Sequence, residues 1–173
     1  MKKTSEAAVH NIAPVWDENS RILILGSFPS VKSREAAFFY HHPQNRFWKV
    51  LAAVTKDTFP ETIEEKKCFL HRHHIAVWDV IASCTITGSS DASIRDVVPN
   101  PVEKLLDETE IVQIFVNGKT AERLYNRYLK ESCGQEAIVL PSTSPANAAW
   151  NLTKLTEAWN AGIEKVISIE SLR

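Results

Sequence analysis

Apolar residues in this chain come in short unbroken runs separated by longer mixed segments. The clearest run is Arg21-Ile-Leu-Ile-Leu-Gly26, four consecutive aliphatics closed by a glycine. A run without polar alternation predicts a strand buried on both faces, as in a parallel sheet. Residues 75–79, 111–117 and 137–140 repeat the pattern, and 165–169 is a weaker fifth candidate. Helical spacing fills the gaps. Phe47, Val50, Leu51 and Val54 share one face of a helix over 45–54, with Pro43 suited to its first turn. A charged helix is expected over 60–71 and another over 119–129, with Ala121, Leu124, Tyr125 and Tyr128 on one face. A last helix over 151–161 would end at Gly162 as its C′ residue. Residues 1–20 are polar and weakly patterned, which predicts a loose N-terminal arm with a turn at Pro14.

Strands alternating with helices imply right-handed crossovers. The expectation is an α/β chain, a single three-layer α/β/α domain over 1–173 with a mainly parallel sheet of four to five strands. Ligands of such sheets bind at the carboxyl ends of the strands. Four segments should therefore crowd one rim: 26–30, 79–84, 117–120 and 141–147.

Composition narrows the class. Hydrophobic residues at 44% and charged residues at 24% suit a globular core and exclude a disordered or low-complexity chain. Twenty basic against 21 acidic side chains leave a net charge of −1, so no global field advertises a nucleic acid or a membrane. A nucleic-acid partner would need local charge. Residues 21–50 offer it, with Arg21, Lys32, Arg34, Arg46 and Lys49 against Glu35, a net of +4. Cys68, Cys84 and Cys133 are odd in number and widely spaced, supporting neither a disulfide framework nor a metal pair. No apolar stretch follows Met1-Lys-Lys, so no signal peptide is expected. No run approaches the ~18 apolar residues of a membrane span. A cytoplasmic protein is expected.

Several motifs fail on spacing. Asn117-Gly-Lys-Thr120 imitates the tail of a phosphate-binding loop, but Gln113 stands where that motif needs glycine, leaving a strand-to-helix turn. His71-Arg-His-His74 lacks helical ligand spacing and reads as a cationic helix end. Ser27 follows Gly26 directly, which is not a nucleophile elbow. Two segments survive. Phe38-Phe-Tyr-His-His-Pro-Gln-Asn-Arg-Phe-Trp48 interleaves rings that can stack on a base with groups that can hydrogen-bond one. Ser142-Thr-Ser-Pro-Ala-Asn147 follows a strand, and Ser144 as N-cap with Pro145 at the first helical position would open a helix able to bind an anion.

Gly26-Ser-Phe-Pro-Ser30, Tyr40-His-His-Pro-Gln-Asn-Arg-Phe-Trp48 and Leu140-Pro-Ser-Thr-Ser-Pro-Ala-Asn147 together resemble the uracil-DNA glycosylase superfamily. With Trp78-Asp-Val80 and Gly88-Ser-Ser-Asp91, the similarity is to its hypoxanthine-DNA (DNA-deoxyinosine) branch, over about residues 21–160. The resemblance implies a parallel α/β/α domain that flips a deaminated base from double-stranded DNA and hydrolyses its N-glycosidic bond, without metal or cofactor. A monomer is expected. Two positions depart from the pattern. Phe28 stands where the uracil branches carry a water-positioning Asp or Asn, and Ser30 stands where Gly is expected. The resemblance implies that Asn45 positions the water instead.

In such a reaction the sugar becomes cationic before water attacks, so a fixed Asn carbonyl can serve without titrating. Ser144 and Asn147, with loop N–H groups, are the candidate donors to the leaving base. Phe28, Tyr40, Phe47 and Asp79 are assigned to the base. The Asp79 carboxylate would accept the N1–H of hypoxanthine and repel the N1 lone pair of adenine. Ser27, Pro29, Ser30, Arg46, Ser142 and Pro145 are assigned to DNA. Two other readings stay open: a uracil or thymine mismatch glycosylase, and a non-catalytic DNA- or nucleotide-binding module. No lysine lies within either core motif as a Schiff-base nucleophile, although Lys49 stands close by.

Overall fold

A computed structural model describes residues 4–87 and 90–171, with side chains through Val166. In chain order the elements are β1 Glu6–Val9, β2 Ile22–Gly26, α1 Val31–Ala36, α2 Phe47–Thr55, α3 Ile63–Arg72, β3 Ile75–Asp79 and β4 Ile81–Ile86. They continue with β5 Arg95–Pro99, α4 Val102–Asp107, β6 Gln113–Asn117, α5 Lys119–Tyr128, α6 Lys130–Cys133, β7 Ala137–Leu140 and α7 Leu152–Ser171. The four strongest apolar runs form one parallel sheet in the order β3-β2-β6-β7. β2 is central and all five of its residues are buried.

The pleat of β2 divides the core. Ile22 and Ile24 face one layer with Phe47, Leu51, Phe69, Leu155 and Trp159 from α2, α3 and α7. Leu23 and Leu25 face the other, with Val102, Leu105, Ala121, Leu124 and Tyr125 from α4 and α5. This is the expected three-layer α/β/α arrangement. α3 starts on a capping box, Thr62 accepting from Glu65 N while the Glu65 carboxylate accepts from Thr62 N.

Three expectations fail. The N-terminal arm is not loose: β1 pairs antiparallel with β4, setting Ala8 opposite Cys84. Val15 exchanges both backbone bonds with Val77 at 3.0 and 2.9 Å, covering the outer edge of β3. Ile12 and Val15 enter the core, and that burial outweighs the weak local pattern. The fifth strand proposed over 165–169 belongs to α7, which runs through Gly162 without ending there. The glycine serves close packing: a Cβ at residue 162 would lie 2.8 Å from Leu140 Cδ2. The segment after Asp79 leaves the parallel sheet to build a second, antiparallel sheet β1-β4-β5. Register shifts within the β4–β5 pair erase the alternation that would have marked a strand.

Candidate active site

The carboxyl ends of β2, β3, β6 and β7 open into one cleft of about 1110 Å³. Ser27, Phe28, Pro29, Ser30, Tyr40, Asn45, Asp79, Ser142, Ser144, Pro145 and Asn147 all line it. The predicted rim therefore assembles, except that only Asp79 of segment 79–84 reaches it. Asp91 also borders the cleft, whereas Gly88 and Ser89 lie outside the described residues. Asn117-Gly118 is the turn into α5, as its spacing implied.

Asn45 is held by a three-residue network. Its Oδ1 accepts from Phe47 N at 2.9 Å and from the Thr143 hydroxyl at 2.9 Å. Thr143 in turn accepts from Asn117 Nδ2 at 3.0 Å, while its own N–H donates to Asn117 Oδ1 at 3.1 Å. Thr143 is wholly buried. This directionality fixes the amide: the carbonyl has both lone pairs occupied, and Nδ2 has no protein partner among the described residues. The unpartnered atom of the Asn45 amide is its nitrogen, whereas the carbonyl expected from sequence to face a water is occupied.

The 141–150 loop also departs from expectation. Ser144 and Pro145 form a turn, with Asn147 N donating to Ser144 O at 3.0 Å and Ala146 N to Ser144 Oγ at 3.2 Å. The helix begins later, at Leu152, where Asn151 Oδ1 accepts from Lys154 N. The N–H groups of Thr143, Ser144, Ala146 and Asn147 all have partners within the protein, so the expected free backbone donors are taken. Side-chain donors remain: the Ser144 hydroxyl, and the second hydrogen of Asn147 Nδ2, whose first goes to Ser142 O at 3.0 Å.

Arg46 is the strap that shapes this loop. Its guanidinium donates to Trp150 O, to Ser144 O at 2.9 Å and to Asn147 O at 3.2 Å, and its N–H donates to Thr143 O at 3.1 Å. The guanidinium expected to meet DNA is thus engaged within the protein. The expected basic patch over 21–50 is dispersed as well. Arg21 stands at the amino end of β2, near Glu110, away from the cleft. Lys32 lies 3.9 Å from Glu35, and Arg34 sits over the Phe28 ring. Ser30, the departure from glycine, caps α1 by accepting from Ser33 N at 3.2 Å.

Phe47 does not face the cleft. It is fully buried behind Tyr40, whose ring stacks on it with 3.9 Å between centroids. Tyr40 has φ +49, and its hydroxyl is buried without a hydrogen-bond partner. Burial, and then the nearby Asp79 charge, push the phenol well above its ordinary value, so it stays a neutral donor.

Asp79 has a partner that sequence reasoning missed. His10 Nε2 lies 2.8 Å from Asp79 Oδ2, with both side chains under 5% exposed, at 3% and 4%. Ile12 N donates to His10 Nδ1 at 3.2 Å, so Nδ1 holds a lone pair and Nε2 carries the proton toward the carboxylate. Asn100 Nδ2, buried, holds the Asp79 carbonyl at 2.9 Å. His10 directly follows β1, in an arm whose weak pattern gave no signal for it. Asn117 and Thr143, also missed, sit at strand ends where polar side chains face the ligand side.

Among the described residues no cluster of three His, Cys, Asp or Glu could hold a metal ion. His71 and His73 contact different aspartates, Asp17 at 3.1 Å and Asp57 at 2.7 Å. None of the described helices is long and apolar enough to cross a membrane.

A parallel α/β sheet whose strand ends present an Asn-bearing loop and a Ser-Pro-Ala-Asn loop to one cleft defines the class of base-excising α/β glycosylases. The family model for the uracil DNA glycosylase superfamily matches residues 13–162, and the chain belongs to that superfamily. It is 34% identical over 149 residues to a hypoxanthine DNA glycosylase of Methanosarcina acetivorans, covering 85% of this chain and 92% of the relative. A hypoxanthine DNA glycosylase of Methanosarcina barkeri is 34% identical over 136 residues, covering 78% and 85%. The solution NMR structure of a candidate uracil DNA glycosylase from Methanosarcina acetivorans superposes with a TM-score of 0.76 at 31% identity, covering 95% of this chain and 98% of that one.

Proposed function

We propose that this chain is a monofunctional DNA glycosylase that removes hypoxanthine from double-stranded DNA by hydrolysing its N-glycosidic bond. The observation that carries this reading is the Asn45 amide, held by Thr143 and Phe47 beside a cleft that also contains the Asp79 carboxylate. The two Methanosarcina relatives named for hypoxanthine support the choice of base. Flipping the nucleotide out costs a few kcal/mol, least at a mismatch. Asn45 Nδ2 then donates to a water and holds its oxygen facing the sugar. Because the sugar is already cationic when water attacks, placement matters more than base strength. Ser144 Oγ and Asn147 Nδ2 donate to the departing base, each such preorganised donor being worth ~3–4 kcal/mol.

Asp79 accepts N1–H, and Phe28 offers its ring to the base. Phe28 has no polar group for a water, which disfavours the uracil reading. Ser27, Pro29, Ser30, Ser142 and Pro145 form the lip that approaches the DNA backbone. The reading takes the chain as a single-domain monomer, working in the cytoplasm without cofactor. The test is a panel of duplexes holding one inosine, uracil, xanthine or thymine mismatch, treated with enzyme and then alkali. Inosine-selective strand cleavage is expected. Selective cleavage at uracil, or binding without base release, would overturn the reading.

A further inference from the structure

The floor of the cleft sets a buried hydroxyl without a partner, Tyr40 Oη, close to a carboxylate oxygen, Asp79 Oδ1. Gly26 separates them: a Cβ there would lie 2.3 Å from Asp79 Oδ1 and 2.8 Å from Tyr40 Oη. The Tyr40 hydroxyl is buried without a hydrogen-bond partner, with the Asn117 side chain beside it. Asp79 Oδ1 has no protein donor among the described residues, because His10 takes Oδ2. A buried donor left unpaired is costly, and a ligand edge that accepts from Tyr40 Oη while donating to Asp79 Oδ1 relieves that cost.

Resting on the hypoxanthine reading, we infer that Tyr40 Oη and Asp79 Oδ1 together read the cis-lactam edge of the flipped base. Tyr40 donates to O6, Asp79 accepts from N1–H, and His10 is the positioning residue that decides which carboxylate oxygen faces the cleft. Adenine presents the inverse edge, a lone pair at N1 and a donor at N6, and is rejected by both groups. Gly26 is required because any side chain would occupy the place where the two groups meet.

The role of His10 gives the inference a distinctive consequence. His10 Nε2–H needs an acceptor, since Nδ1 is held as the lone-pair nitrogen by Ile12 N. In Asp79→Asn the amide oxygen must therefore turn toward His10, and the amide NH₂ takes the place of Oδ1. The reader then offers a donor where it offered an acceptor, and its preference at N1 inverts.

Binding measures this without chemistry. Duplexes carry 2′-fluoroarabino-inosine or 2′-fluoroarabino-nebularine, which resist glycosidic cleavage; nebularine lacks O6 and has a lone pair at N1. Wild type is expected to favour the inosine analogue on the order of 10- to 100-fold. Tyr40→Phe reduces that ratio, and Asp79→Asn reverses it. In His10→Phe/Asp79→Asn the amide is free to turn and the reversal is lost. His10→Gln, which keeps an N–H donor, restores part of the wild-type ratio relative to His10→Phe. A wild-type preference left unchanged by Asp79→Asn would overturn the inference while leaving the hypoxanthine reading intact. Absence of any wild-type preference would overturn the inference, and absence of inosine cleavage in a parallel assay would separately overturn the reading beneath it.

Discussion

The Thr143 hydroxyl donates to the Asn45 side-chain carbonyl at 2.9 Å, joining two loops 98 residues apart in sequence. Because Thr143 also accepts from Asn117, it aims the Asn45 amide nitrogen rather than its oxygen at the cleft. Thr143→Val keeps the shape and removes the hydroxyl, leaving Asn117 Nδ2 without its acceptor. The expected cost is about 1–3 kcal/mol of stability in urea unfolding, together with slower inosine cleavage under single-turnover conditions. Thr143→Ser restores most of both.

Arg46 donates to three loop carbonyls, so its removal should loosen the 143–150 loop without removing a phosphate contact. DNA affinity of Arg46→Ala falls, but the slope of log affinity against log salt stays that of wild type. Lys119, which borders the cleft, gives the contrast: Lys119→Ala should flatten that slope by about one. A slope change in Arg46→Ala would mean that the guanidinium leaves its carbonyls to meet DNA.

Gly162→Ala decides between helix propensity and packing. In an open helix the change gains up to about 1 kcal/mol. Here the new methyl lies 2.8 Å from Leu140 Cδ2, and overpacking costs about 1–3 kcal/mol. Thermal unfolding should show net destabilisation.

Away from the cleft, Asp57 accepts from His73 Nε2 and from Arg72 Nε and Nη2 at 2.7–2.9 Å. The His73 bond first, then those from Arg72, lower its carboxyl from 3.8 to about 2. A carboxyl depressed on folding adds stability above its unfolded value and loses it as pH falls through the folded one. That contribution is therefore complete above about pH 4 and fades toward pH 2. A carboxyl-carbon NMR titration should place the Asp57 midpoint near 2 in wild type and higher in Arg72→Ala.

The parallel sheet was legible because its strands are buried on both faces and write that burial as unbroken apolar runs. β4 was not, since its register shifts scatter polar and apolar positions. The rim followed from the rule that ligands sit at strand ends, and Asn45 stood out against its aromatic neighbours. What escaped was whatever depends on partners distant in sequence. His10 meets Asp79 only because β1 pairs with β4, and nothing local to either residue announces the other. Ser144-Pro145 carries the local signature of a helix start, yet the Ser144 carbonyl is drawn to Arg46 and the helix waits for Asn151. Gly162 likewise reads as a helix end until Leu140 is placed against it.

The central claim is that this chain breaks the bond between hypoxanthine and deoxyribose with a water held by Asn45. Mass-spectrometric detection of the free base released from an inosine duplex tests it most directly. Wild type should release hypoxanthine in step with abasic sites, and Asn45→Ala should slow release on the order of 100-fold or more while still binding the duplex. No free hypoxanthine from wild type, or equal release by Asn45→Ala, would contradict the account.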